Sequence, residues 1–103
     1  IEDSYYENVY YVYPVTSISD FTFSDCEKLK SVKIPSTLTN IGKDAFYNCH
    51  NLTSIEIPSS VTHIGDSAFS NCENLDVIID NSEGNIDLGK DALSDCKSVK
   101  YLK

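Results

Sequence analysis

IPSTLTNIGKDAFYNCHNLTSI, residues 34–55, and IPSSVTHIGDSAFSNCENLDVI, residues 57–78, agree at more than half of their positions. The shared positions include apolar residues, a glycine, a proline and the one cysteine in each stretch. Weaker copies extend the pattern in both directions, as ISDFTFSDC from Ile18 and LGKDALSDC from Leu88. Self-similarity at a fixed period predicts structural units that stack on their neighbours.

The repeat is marked by four cysteines that are separated by 23, 23 and 24 residues: Cys26, Cys49, Cys72 and Cys96. Apolar residues recur at fixed distances from them, in columns three and eight residues before and three and six residues after each cysteine. The columns are Phe23, Phe46, Phe69 and Leu93; Ile18, Ile41, Ile64 and Leu88; Leu29, Leu52, Leu75 and Val99; and Val32, Ile55, Ile78 and Leu102. Stacked turns join these columns into the continuous core of a solenoid.

The pattern predicts a short strand after each cysteine and a short helix or tight turn before it. The strands are expected near residues 6–12, 29–34, 52–57, 75–79 and 99–102, and the turns near 20–25, 43–48, 66–71 and 90–95. The recurring glycines predict either a positive φ or a close backbone approach: Gly42, Gly65 and Gly89. The residues directly before the cysteines are expected to form hydrogen bonds from their side chains to backbone, repeated from turn to turn: Asp25, Asn48, Asn71 and Asp95. DNSEGN, residues 80–85, predicts a bulging loop.

The pattern CxxLxxIxIPxxLxxIGxxAFxx resembles the BspA-type leucine-rich repeat, also called the treponemal type. CHNLTSIEIP from Cys49 and VTHIGDSAF from Val61 match it nearly letter for letter, and the resemblance covers about residues 12–102. It implies a leucine-rich-repeat solenoid of the α/β type, in which short parallel β-strands form one face and short helices or turns the other. We expect about 23 residues per repeat and four repeats plus an N-terminal strand, in a single domain over residues 1–103 with a capping strand at 1–13 and repeats at 14–103.

The resemblance also implies a function. Many members belong to secreted or cell-surface proteins, and several resemble adhesins that bind host or matrix proteins. We therefore expect a non-enzymatic module, secreted or at the cell surface, that binds a protein ligand. The alternative is a structural segment that self-associates through the solenoid ends or belongs to a longer repeat array, because SVKYLK at the C-terminus leaves a repeat open and unpaired edges tend to pair.

The net charge of −8 over 103 residues excludes several other classes of protein. An acidic surface is repelled by phosphate backbones, so nucleic acid is not an expected partner. The apolar runs are too short to span a bilayer, so membrane insertion is not expected either.

The four cysteines allow three interpretations. Structural zinc needs closely spaced pairs such as CxxC, which this chain lacks. A disulfide between neighbouring turns stays open, because stacked strands bring Cα atoms within about 5 Å. We favour a ladder of free thiols in the core, since all four cysteines occupy one inward column and cysteine behaves there as a small apolar residue.

The sequence contains no arrangement of residues that is typical of catalysis. His50 follows Cys49 directly, but adjacent side chains point apart and no third group is evident to orient a nucleophile pair. His63 lies in a column of polar turn residues. The carboxylates are spread singly over the repeats rather than paired. We therefore expect no enzyme activity, no metal and no cofactor.

The predicted binding surface is the outward side of the strands, because inward positions are committed to the core. Exposed aromatic and apolar residues there would act as anchors. The candidate residues are Tyr10, Lys30, Lys33, Thr53, Glu56, Asp76, Val77, Ile79 and Tyr101.

Overall fold

The structure is a computed structural model that describes residues 14–103 and, before them, the strand at residues 8–9. Within these residues short strands alternate between two parallel sheets. The strands are β1 (Asn8–Val9), β2 (Ser17–Ile18), β3 (Ser31–Val32), β4 (Asn40–Ile41), β5 (Ser54–Ile57), β6 (His63–Ile64), β7 (Asp76–Ile79), β8 (Asp87–Leu88) and β9 (Ser98–Tyr101). The rest of the predicted capping segment, with Tyr10, lies outside the described residues.

Each strand pairs with the strand one turn later, which makes both sheets parallel. The first sheet has the order β1-β3-β5-β7-β9 and the second has the order β2-β4-β6-β8. Val9 is paired with Val32, one period along the chain, as the sequence predicts. The solenoid of stacked turns is thereby confirmed. The second sheet, at the column of Ile18, Ile41 and Ile64, was not predicted as strand.

The core is a set of columns that run through the turns, as expected. Phe23, Phe46 and Phe69 are buried and form a stack, with ring centroids 5.2 and 5.0 Å apart. Aromatic pairs at such distances add about 0.5–1.5 kcal/mol beyond the area that they bury. Two residues of the predicted apolar columns are exposed rather than buried. Val99 and Leu102, on the last turn, are 38% and 52% exposed.

The segments before the cysteines are tight turns, so the predicted alternative of a short helix is not realised in them. Asp44 and Asn48 have φ values of 54° and 64°, in the left-handed region that Asp and Asn tolerate better than most residues. This backbone directs alternate N–H groups to the next turn, and we call these bonds the turn ladder. In the second turn its bonds run from Asp44 to Asp66, from Phe46 to Ala68 and from Asn48 to Ser70, at 2.7–2.9 Å.

The side chains before the cysteines do not bond as predicted. The Asn48 amide donates to the Asp25 carboxylate at 2.8 Å, and the Asn71 amide to the Tyr47 hydroxyl at 3.4 Å. The backbone groups that were expected to bond these side chains already take part in the turn ladder. The ladder of polar side chains therefore runs between turns rather than within one.

The recurring glycines allow neighbouring turns to approach closely. None of the described glycines has a positive φ, so that part of the prediction is wrong. A Cβ added at Gly65 would lie 2.7 Å from the backbone nitrogen of Lys43, which real side chains do not tolerate. Close approach between turns is therefore the reason for glycine in this column.

The spacing between paired strands changes from β5 to β7. Ser31 is paired with Ser54, 23 residues later, but Ile55 is paired with Val77 and Ile57 with Ile79, only 22 residues later. The second sheet compensates, because Ile64 is paired with Leu88, 24 residues later. The extra length lies in the predicted loop, which contains a 3-10 turn at Glu83–Asn85.

This change of register reverses the predicted orientation of β7. Val77 and Ile79, predicted to face outward, are fully buried. Ile78, predicted to face the core, lies on the outer side and is only half-buried. Tyr101 was also predicted to face outward, but it is paired with Ile79 and packs against the core. The physical reason is that strand side chains alternate, so a shift of one residue exchanges the two faces.

Candidate functional site

We define the strand face as the outward side chains of the first sheet. They alternate with buried residues along β5 and β7, as in any sheet with one solvated side. The strand face comprises Ser31, Lys33, Ser54, Glu56, Asp76, Ile78, Ser98 and Lys100. Four short strands thus bring together side chains that are up to 69 residues apart in the sequence, from Ser31 to Lys100.

Two hollows lie on the strand face. The larger, of about 390 Å³, is lined by Ser31, Val32, Lys33, Ile34, Ser54, Ile55, Glu56 and Ile78. The smaller, of about 260 Å³, is lined by Ile34, Glu56, Ile57, Pro58, Ile78, Asp80 and Leu102. Because both are bordered by Ile34, Glu56 and Ile78, they form one groove along the sheet.

Ile78 is the apolar centre of the strand face. Its strand neighbours at the same level are Glu56 on one side and Lys100 on the other. An apolar side chain within a polar rim is the usual composition of a protein-binding patch. Ile78 was not among the predicted binding residues, because the predicted columns were counted from the cysteine. One signal was available, since Val77 and Ile79 alternate with the same period as Ile55 and Ile57.

Polar contacts hold the edge of the groove near the last strand. The Ser98 hydroxyl donates to the Asp76 carboxylate at 2.6 Å. The Lys103 ammonium lies 3.1 Å from the Asp80 carboxylate, and both side chains are partly exposed. Exposed pairs of this kind are worth about 1 kcal/mol or less, so they orient side chains more than they stabilise the fold.

Charge is distributed unevenly between the strand face and the rest of the surface. Four of the eight lysines lie on the strand face or at its margins, and three carboxylates accompany them: Lys30, Lys33, Lys100 and Lys103 with Glu56, Asp76 and Asp80. The sum of these charges is about +1 in a chain whose net charge is −8. The excess of carboxylates therefore lies elsewhere in the sequence, and six of them are in the turns before the cysteines: Asp20, Asp25, Asp44, Asp66, Asp91 and Asp95.

The other predicted binding residues that the structure describes lie at the surface, apart from Tyr101, which packs against the core. Lys30, Lys33, Thr53 and Glu56 are exposed on the outward side, and Asp76 is half-buried there. Glu56 is paired with Ile78, and Lys33 lines the larger hollow together with both. Of the predicted apolar anchors, Val77 and Ile79 are core residues, and Ile78 has the outward position on β7. The binding role of the predicted residues stays a prediction.

The comparisons with known proteins agree with this architecture. A sequence profile of the BspA type leucine rich repeat region matches residues 2–103, with six copies of the repeat. The chain belongs to the BspA-type leucine-rich repeat family. No protein of curated function is significantly similar to it.

Two solved structures of leucine-rich repeat proteins are similar to the chain. The leucine-rich repeat protein of T. pallidum, TpLRR, is 26% identical with a TM-score of 0.69, over 81% of this chain and 38% of that one. A leucine-rich repeat protein from Bacteroides ovatus ATCC 8483 is 32% identical with a TM-score of 0.71, over 91% of this chain and 29% of that one. The chain thus spans well under half the length of either neighbour.

None of the four cysteines of this BspA-type repeat, all within the described residues, forms a disulfide bond. Cys49 and Cys72 are buried, and their thiols donate to the carbonyls of Phe23 and Phe46 at 3.1 and 3.0 Å. The contact with the Cys72 thiol and burial raise the pKa of Cys49, and burial raises the pKa of Cys96 to about 12. The thiols of Cys49 and Cys96 therefore stay protonated at neutral pH, the form that is a poor nucleophile.

The histidines make polar contacts on the surface of the repeats. The Nδ1 atom of His50 lies 3.3 Å from Glu73, and that of His63 lies 2.9 Å from Asp87. Among the described residues, no group of three His, Cys, Asp or Glu side chains is placed to hold a metal ion. The family and its structural neighbours point to a non-enzymatic repeat scaffold and to protein interaction.

Proposed function

We propose that the strand face is a protein-binding surface and that the chain is a non-enzymatic module of a secreted or cell-surface protein, adhesin-like in its role. The observation that carries the proposal is the groove centred on Ile78. Buried apolar anchors surrounded by polar groups supply most of the energy of protein interfaces. The groove has one such centre, and the short strands beneath it fix its side chains.

The secreted location rests on a different line of support. Proteins of this family are often extracellular or surface-associated. Within the described residues there is no helix with the length and apolar character that crossing a bilayer requires. A host or matrix protein is the class of ligand that such a location offers.

A selection experiment tests the binding role. A peptide-display library is panned against the chain, and the selected binders are then measured on two variants that each add one negative charge. Ile78→Asp changes the centre of the groove, and Ser67→Asp changes a half-buried turn residue away from it. Circular dichroism checks that both variants are folded.

We expect the binders to lose at least tenfold in affinity for Ile78→Asp, because a charge replaces the apolar anchor, and to keep their affinity for Ser67→Asp. Binders that respond equally to both variants, or only to Ser67→Asp, would place the binding surface on the turns and reject the proposal.

A further inference from the structure

The strand face has one row of short side chains beside one row of long side chains. Strand pairing aligns the short side chains across four neighbouring strands: Ser31, Ser54, Asp76 and Ser98. The long side chains of Glu56, Ile78 and Lys100 are aligned two residues further along the last three of these strands. The larger hollow lies where Ser31 and Ser54 leave space beside Glu56 and Ile78. The short row is therefore a trough that crosses the strands, bordered by the long row.

The long row has a different chemical character at each of its three positions. Glu56 is anionic, Ile78 is apolar and Lys100 is cationic, and both charged side chains are exposed. Neither Glu56 nor Lys100 forms an ion pair with another residue that the structure describes. Like charges placed against each other are strongly disfavoured at an interface. A partner on this row therefore needs a cationic group at Glu56 and an anionic group at Lys100.

The spacing of the long row distinguishes a helical partner from an extended one. Neighbouring strands are about 4.8 Å apart, so the distance from Glu56 past Ile78 to Lys100 is roughly 10 Å. On one side of a helix, residue i+3 or i+4 lies about 4.5–6 Å and residue i+7 about 10.5 Å along the axis from residue i. On one side of an extended segment, residues i+2 and i+4 lie about 6.7 and 13 Å from residue i. The helix matches the row, and the extended segment does not.

The trough also has the length of a short helix. Four strands at a spacing of about 4.8 Å give it roughly 14 Å. A helix covers this length with about nine or ten residues, at about 1.5 Å each. Small side chains form the floor of the trough, and the Ser98 hydroxyl donates to the Asp76 carboxylate within it at 2.6 Å. A helix can therefore approach the sheet closely while its side contacts the long row.

We propose that the partner of the strand face presents an amphipathic helix that lies across the strands, an inference that rests on the proposed function of this face. One apolar side chain of the helix packs on Ile78. A lysine or arginine one turn away along the helix pairs with Glu56, and an aspartate or glutamate one turn away on the other side pairs with Lys100. Helices that bind in grooves use anchors at these spacings. The two charges fix the direction of the helix, because turning it end for end would place like charges together.

A helix library tests this class of partner. A stable three-helix scaffold carries random residues on the outer side of one helix and is panned against the unmodified chain. The panning is repeated with the variants Glu56→Lys and Lys100→Glu, and with Glu27→Lys as the control. Glu27 is exposed and precedes β3, so its substitution makes the same change of charge as Glu56→Lys outside the strand face. Circular dichroism checks that all variants are folded.

We expect binders of the unmodified chain to carry one cationic and one anionic residue seven positions apart, with an apolar residue between them. These binders should lose at least tenfold in affinity for Glu56→Lys and for Lys100→Glu, and keep their affinity for Glu27→Lys. Binders selected on Glu56→Lys should instead carry two anionic residues, and those selected on Lys100→Glu two cationic residues. The reason is that the altered row has the same sign at both ends, which rejects the original pattern.

The Ile78→Asp variant separates this proposal from the proposed function. Helical binders that lose affinity for Ile78→Asp but ignore both charge reversals would overturn the proposed helix and leave the face as a binding surface. The same conclusion would follow if the peptide-display library gave binders that depend on Ile78 and the helix library gave none. Binders that are indifferent to Ile78→Asp, or a failure of both libraries, would reject the binding role as well.

Discussion

The middle turns, residues 34–79, and the last turn, residues 80–103, carry the same sequence columns in different surroundings. Phe69 and Cys72 are fully buried, while Leu93 and Cys96, one period later, are partly exposed. The local backbone is nearly the same in both, with left-handed residues at the same two positions. The difference shows that a column residue owes its burial to the turns on both sides of it, rather than to its own repeat.

The largest contrast is expected between truncations in one column. Phe46→Ala should lower the free energy of unfolding by about 3–5 kcal/mol, because it removes a ring stacked on both neighbours. Leu93→Ala should lower it by about 1–2 kcal/mol, since its side chain is already partly in water. Urea denaturation followed by circular dichroism measures both. Equal losses would mean that burial does not depend on a neighbouring turn.

A second contrast tests the register of β7. Ile79→Ala should cost about 2–5 kcal/mol of unfolding free energy, because Ile79 is fully buried. Ile78→Ala should cost less than about 1 kcal/mol, because its side chain faces the groove. The same urea titration serves for both variants. A larger loss of unfolding free energy for Ile78→Ala than for Ile79→Ala would mean that Ile78 faces the core, as counting from the cysteine predicts. Ile78 would then not belong to the strand face.

These contrasts also separate what the sequence predicts from what it does not. The columns of residues 34–72 could be predicted because two copies of equal length repeat them. The register of β7 could not, because DVII is apolar enough to place either set of side chains inside. Packing against Ile55 and Ile57 selects Val77 and Ile79, and the loop that ends at Ile86 absorbs the difference.

The candidate site was predicted in part for the same reason. Its polar members, such as Lys33 and Glu56, follow from the regular repeats. Its apolar centre follows from the register change, which only the pairing with the previous strand reveals. The tight turns could not be distinguished from short helices in the sequence, because a left-handed Asp or Asn before a cysteine is also compatible with the end of a short helix.

Glycine substitutions test how closely the backbones of neighbouring turns approach each other. Gly65→Ala should cost about 1–3 kcal/mol, because its Cβ would lie 2.7 Å from the Lys43 nitrogen of the preceding turn. Gly84→Ala, in the loop, should change stability by less than about 0.5 kcal/mol, since nothing lies within 4 Å of its Cβ. Thermal unfolding of both variants provides the measurement. A tolerated Gly65→Ala would show that the turns are further apart than described.

Thiol reactivity gives the smallest contrast, between cysteines of one column. Cys96 is partly exposed, so it should be the first of the four thiols to react with a thiol reagent without denaturant. Burial raises its pKa to about 12, so its rate should increase steadily with pH above neutrality as the thiolate forms. Cys49 and Cys72 should react only on unfolding. Mass spectrometry of the modified peptides would contradict this order if the buried thiols reacted first.

Amide hydrogen exchange of the dilute, monomeric chain tests most directly whether neighbouring turns hold the structure together. We expect slow exchange at Asp44, Phe46 and Asn48, whose N–H groups donate to the next turn. We expect fast exchange at the corresponding amides of the last turn, which have no acceptor in the described chain: Asp91, Leu93 and Asp95. Equal protection in the two sets would contradict the account, because the amides of a turn would then not depend on the turn that follows.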